Sequence, residues 1–146
     1  MASPSHAPQG RSPNYAIAQL PGLSPEDSQK LVDLGIETTL QLVRQTQTPD
    51  QQQQLANQLQ THLQHVKKWS ALANLARVAS VGCHYCGMLL YSGVATPEQL
   101  ATTPLPRLHR QLMKLHISTM QNKDLCPSLN DVRLWIQDAQ QLTGRR

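Results

Sequence analysis

The residue types best suited to chemistry gather in two places. The first is Cys83-His84-Tyr85-Cys86. Thiolates separated by two residues are typical zinc ligands, and on a helix Cys83 and Cys86 share a face. Zinc needs four donors, however, and His84, beside Cys83, points to another side. Cys126 lies far downstream. The bland reading is a pair of small packing groups, so no metal and no cofactor is assigned, with Cys83 and Cys86 kept as the alternative ligands. A thioredoxin-like role lacks its βαβ setting. Three cysteines, an odd number, do not make a disulfide framework.

The second place is the stretch Arg107, His109, Arg110, Lys114 and His116, with Lys123 beyond, which holds no acid from Pro104 to Lys123. Arg107, Arg110 and Lys114 stand at i, i+3 and i+7, on one helix face, while Leu105, Leu108, Leu112 and Leu115 point inward. Such a face neutralises phosphates; its bland counterpart is an ordinary solvated helix surface. The charge balance favours this half of the chain. Residues 1–70 carry five Lys/Arg and five Asp/Glu, whereas residues 71–146 carry eight and four, so the whole +4 falls in the second half. No nucleophile-base pair, Gly-rich phosphate loop or spaced acid pair appears, and an enzyme is not expected. No small-molecule substrate is evident.

These residues need elements to hold them, and the elements read as helices. Apolar residues recur at helical spacing, and no segment alternates like a strand. Apolar types make up 39 %, with two Trp, three Tyr and no Phe, so the core must be aliphatic. Thr38/Gln41, Thr48/Gln51 and Thr96/Gln99 are Thr-x-x-Gln capping boxes. Pro49 and Pro97 fall at first helical positions, and Pro127-Ser128 with Asp131 opens the last helix similarly. Gln51–Gln54 reads as a solvated helix face. No stretch approaches the ~18 apolar residues that span a bilayer. Residues 1–13, with Pro4, Pro8 and Pro13, read as a disordered tail and not as an export signal, which makes the cytoplasm the default location.

The chain repeats itself. Leu31, Gly35, Thr38, Gln41 and Leu42 recur as Leu89, Gly93, Thr96, Gln99 and Leu100, each 58 positions on. Leu63, Val66, Trp69 and Ala73 recur as Leu129, Val132, Trp135 and Ala139, each 66 positions on. This is the pattern of an internal duplication. The two Trp, repeated in register among apolar neighbours, read as core.

Each copy opens on a hairpin signature. In the first, Ile17 to Leu20 reads as a helix, Pro21-Gly22-Leu23-Ser24 as a tight turn, and the next helix runs to Leu34 with Gly35 as its stop. In the second, Ser80-Val81-Gly82 holds the turn, and its helix runs to Ser92 with Gly93 as stop. Neither turn has a full Gly-apolar-Gly pattern: Ser24 replaces the second glycine of one, Ser80 the first of the other. Backbone N–H groups at such a turn can hold a phosphate. Glu26, Asp27 and Asp33 argue against this at the first turn; Arg77 supports it at the second.

These residues resemble a tandem helix-hairpin-helix family of bacteria and cyanobacteria, catalogued as a domain of unknown function. The resemblance is carried by Leu20-Pro-Gly-Leu23, Leu34-Gly-Ile36-x-Thr38, Trp69-x-x-x-Ala73-x-Leu75-x-Arg77-Val78-x-x-Val81-Gly82, Gly93-Val94-x-Thr96 and Val132-x-x-Trp135-Ile136. It covers roughly residues 15–142 and implies DNA-backbone binding or protein docking.

The expectation is therefore an all-α fold of eight or nine short helices. Two pseudo-repeated helix-hairpin-helix units, about 15–76 and 77–142, pack as one compact domain over 14–143. The expected function is non-catalytic, sequence-independent nucleic-acid binding through Arg77, Gly82, Arg107, Arg110 and Lys114. The alternative is a protein-docking or self-associating adaptor using apolar and Gln-rich helix faces.

Overall fold

The computed structural model describes residues 14–119 and 127–144, leaving aside the side chains of 115–119. The expected tail over 1–13, Lys123 and Cys126 lie outside the described residues, as do the side chains of Leu115 and His116.

Among the described residues, eight α-helices follow a 3₁₀ turn at Ile17–Gln19. They are α1 Pro25–Asp33, α2 Thr39–Arg44, α3 Pro49–Leu59, α4 Leu63–Leu75, α5 Gly82–Tyr91, α6 Pro97–Thr102, α7 Leu105–Thr119 and α8 Leu129–Thr143. No strand occurs among the described residues; Ala16 and Thr38 form one isolated antiparallel bridge. The all-helical expectation holds.

The helix starts are set by side-chain oxygens that accept orphan N–H groups. Thr38 Oγ1 accepts from the Gln41 N–H at 3.3 Å, and Gln41 Oε1 accepts from the Thr38 N–H at 3.1 Å. Thr48 and Gln51 do the same at 3.1 and 3.2 Å, and Ser128 with Asp131 opens α8 at 3.1 and 2.9 Å. The Thr96 box is only half formed. Thr96 Oγ1 accepts from the Gln99 N–H at 3.0 Å, but Gln99 reaches past Thr96, accepting from the Ala95 N–H and donating to the Gly93 carbonyl at 2.8 Å.

The ends of α1 and α5 are matched. Gly35 and Gly93 take φ of 90° and 104°, which costs a glycine little. Ile36 N–H donates to Leu31 O at 2.9 Å, and Val94 N–H to Leu89 O at 3.0 Å. This is the six-to-one bond of a Schellman stop, with the apolar residue beyond the glycine folded back on the helix. α3 ends differently, on Gln60 in the left-handed region at φ 55°.

The helix expected before Pro21 is a correction: only the three-residue 3₁₀ turn forms there. The preceding backbone is spent elsewhere. Ile17 N–H donates to Glu37 O and Thr39 N–H to Tyr15 O, both at 2.9 Å. Tyr15 N–H donates to Thr39 Oγ1 at 3.2 Å, and Leu40 N–H to Asn14 Oδ1 at 3.2 Å. Residues 14–16 are thus an extended strap laid on the start of α2.

α2 and α3 pack on α4, and α6 and α7 pack on α8; α1 packs on α3, α5 on α7, and α4 on α5. The core is aliphatic around two tryptophans. Trp69 and Trp135 are buried together with Leu31, Leu42, Leu72, Leu75, Leu89, Leu100, Leu108 and Leu112. The Tyr85 ring lies 4.8 Å from that of Trp135 and ties α5 to α8. The core reading of both Trp is correct.

Candidate functional site

The basic face of α7 forms as its spacing implies. Leu108 and Leu112 are fully buried, and Leu105 packs against the core. Arg107, Arg110 and Lys114 are exposed on the opposite side. Arg77 is half-buried in the segment after α4, where its Nη1 donates to Asn74 Oδ1 at 2.7 Å. Its guanidinium is held locally and does not extend freely into solvent.

The turn before α5 departs from expectation. Gly82 has the positive φ, 54°, but it is buried, and its N–H donates to Val78 O at 3.0 Å. That N–H is not available to a phosphate. The cover is Tyr15: a Cβ at Gly82 would stand 2.6 Å from the Tyr15 hydroxyl. Gly82 is therefore withdrawn from the binding set. Ser80 Oγ is buried with no hydrogen-bond partner.

The turn before α1 is more open. Gly22 is exposed at φ 79°, Pro21 is half-buried, and exposed Ser24 accepts from the Asp27 N–H at 3.1 Å. Pro21 sits against α5, with its Cγ 3.6 Å from the place a Cβ on Gly87 would take. Lys68 of α4 reaches the same corner. Its Nζ lies 3.7 Å from the corresponding point on Gly22, donates to the Tyr91 hydroxyl at 3.2 Å, and stands 5.4 Å from the centre of the Tyr91 ring. Tyr91 is 66 % exposed. Sequence reasoning missed this cation-aromatic pair. The only signal was a Lys67-Lys68 doublet in the neutral half, and nothing local says which lysine turns toward the hairpin.

Tyr15 also stands against the two thiols of α5. Cys83 is half-buried and Cys86 fully buried, with Cys86 Sγ 3.7 Å from Cys83 O. Burial pushes the Cys83 thiol up; burial, then the neighbouring Cys83, pushes Cys86 up to about 12. Burial and the same two thiols raise the Tyr15 phenol. Low-dielectric surroundings disfavour each charged form. His84 is exposed and turns edge-on to Tyr85, 4.4 Å between ring centres. Among the described residues no three His, Cys, Asp or Glu side chains gather where they could hold a metal ion.

A shallow groove of about 230 Å³ lies between the end of α1 and α3. Leu34, Ile36 and Leu55 are its apolar lining, and Gln45, Gln51, Gln54 and Gln58 its polar lining. No helix among the described residues is long and apolar enough to cross a membrane.

A small all-helical domain with one cationic helix face is the class these features define. The chain belongs to the family described as Domain of unknown function (DUF4332), which it matches over residues 21–142. No curated protein and no solved structure matches it.

Proposed function

We infer that the chain is a non-catalytic module of two tandem helix-hairpin-helix units, of the bacterial and cyanobacterial kind, working in the cytoplasm. Its second unit binds nucleic acid through the phosphate backbone without reading bases. The observation that carries this reading is the exposed row Arg107, Arg110 and Lys114 on α7, opposite buried Leu108 and Leu112. Arg77 sits at the edge of the set, already oriented by Asn74. The duplication is supported by the matched helix stops at Gly35 and Gly93 and by paired helix contacts. α2 and α3 meet α4 as α6 and α7 meet α8, and α1 meets α3 as α5 meets α7.

The test is a titration of labelled duplex DNA at about 50 and about 200 mM salt. Three phosphate contacts give a log–log salt slope of about −2.7, and the Arg107→Ala/Arg110→Ala variant brings it near −0.9. Absence of binding at low salt, or binding indifferent to the double change, ends this reading.

The second reading is a protein-docking adaptor. It is favoured by the Gln-lined groove and by Leu34 at its rim, 44 % exposed. Capture of a partner protein from nuclease-treated lysate, lost in Leu34→Glu but kept in the arginine variant, distinguishes it from the first.

A further inference from the structure

We propose that Cys83 and Cys86 are a reversible dithiol–disulfide site at the first turn of α5, with a low-molecular-weight disulfide of the glutathione type as its chemical partner. The two residues are the second and fifth of α5. Helical geometry at that spacing puts their Cα atoms about 5 Å apart, inside the range a disulfide spans, about 4.4–6.8 Å. The Cβ atoms must close from roughly 5–6 Å to about 4 Å. The first turn of a helix yields more readily than its interior, although here the Gly82 and Tyr85 N–H groups donate to Val78 O and Val81 O at 3.0 and 3.1 Å. Cys86 Sγ is already turned back toward that turn, 3.7 Å from Cys83 O.

Exposure divides the labour. Half-buried Cys83 can be reached from solvent; Cys86, with no exposed surface, cannot. In the first step the Cys83 thiolate attacks one sulfur of the incoming disulfide. The reagent S–S bond breaks, a mixed disulfide forms on Cys83, and the departing thiolate takes a proton from water. In the second step Cys86 gives its proton to solvent and attacks the Cys83 sulfur. The mixed bond breaks, the Cys83–Cys86 bond forms, and a second reagent thiol leaves. Two protein thiols are oxidised and one reagent disulfide is reduced to two thiols. The Tyr15 phenol rests on Gly82, next to Cys83 in the chain. The site therefore bears on the strap as well as on α5. Both thiols titrate above their ordinary value, so the dithiol is slow to react at neutral pH and the assay is run near pH 8.5.

The experiment incubates the full-length chain, with and without Cys126→Ser, with oxidised glutathione, traps free thiols with N-ethylmaleimide, and reads intact mass and peptide maps. In the Cys126→Ser chain the expected product is two hydrogens lighter, carries no glutathione and no maleimide, blocks both Cys83 and Cys86, and returns to the dithiol with dithiothreitol; in the parent chain any adduct sits on Cys126 alone. Cys86→Ser is expected to stop at one glutathione on Cys83. A stable adduct on Cys83 with Cys86 still free overturns the proposal. So do two thiols that stay titratable throughout, or a bond from either to Cys126 or to a second chain. The parent and Cys126→Ser chains decide these outcomes, whatever the folding of Cys86→Ser.

Discussion

Gly82 is fixed by two constraints at once. Its φ of 54° lies where a side chain costs about 1–2 kcal/mol, and the Tyr15 hydroxyl fills the space a Cβ would enter. Gly82→Ala is therefore expected to lower stability by about 2 kcal/mol in urea denaturation, with Tyr15→Ala/Gly82→Ala costing less than the two single changes added together. Strict additivity would mean that the phenol and the turn do not touch. The positive φ was legible in the sequence, because a glycine between apolar residues at a helix start marks such a turn. The burial was not: Tyr15 stands 67 positions earlier, and nothing in its neighbours says where its ring goes. Lys68 was missed for the same reason, as its partners Gly22 and Tyr91 lie far away in the chain.

At the scale of the element, the caps carry most of what could be read in advance. Thr38, Thr48, Thr96 and Ser128 were legible because capping depends on residues three apart. Replacing Thr38 or Thr96 by Ala is expected to cost about 1 kcal/mol each, measured by thermal or urea unfolding. A loss at Thr38 with none at Thr96 would show that the complete box, which Thr38 has and Thr96 lacks, supplies the stabilisation. The end of α3 was not legible in this way. Gln60 takes the left-handed conformation without being Gly or Asn, and the chain turns there because Leu59 and Leu63 must both face the core. The 3₁₀ turn at Ile17–Gln19 replaced an expected helix through a tertiary effect: α2 claims the backbone of residues 14–17.

At the scale of the whole molecule, the domain boundary drawn by family resemblance and the boundary drawn by packing differ. The family match begins at Pro21, yet Ile17 and Leu20 are each only 2 % exposed. Burying two such side chains contributes about 3–6 kcal/mol, a large share of the 5–15 kcal/mol typical of a domain. A chain beginning at Asn14 is expected to unfold at the parent temperature, and one beginning at Pro21 to melt far lower or not fold, as followed by circular dichroism. Equal melting of the two would show that the strap is ornamental. The repeated sequence pattern suggested two comparable halves, and the helix stops at Gly35 and Gly93 and the burial of Trp69 and Trp135 do match. Their surfaces do not. One half is neutral with a Gln-lined groove; the other holds the excess of positive charge.

The strap has a further consequence. Tyr15 starts in the first half and rests on Gly82 in the second, Pro21 leans on Gly87, and Lys68 holds Tyr91. Each link joins residues on opposite sides of the α4–α5 junction, so neither half can loosen without uncovering part of the other. The chain is therefore expected to melt in one transition, and a ligand bound by either half would raise the melting temperature of both.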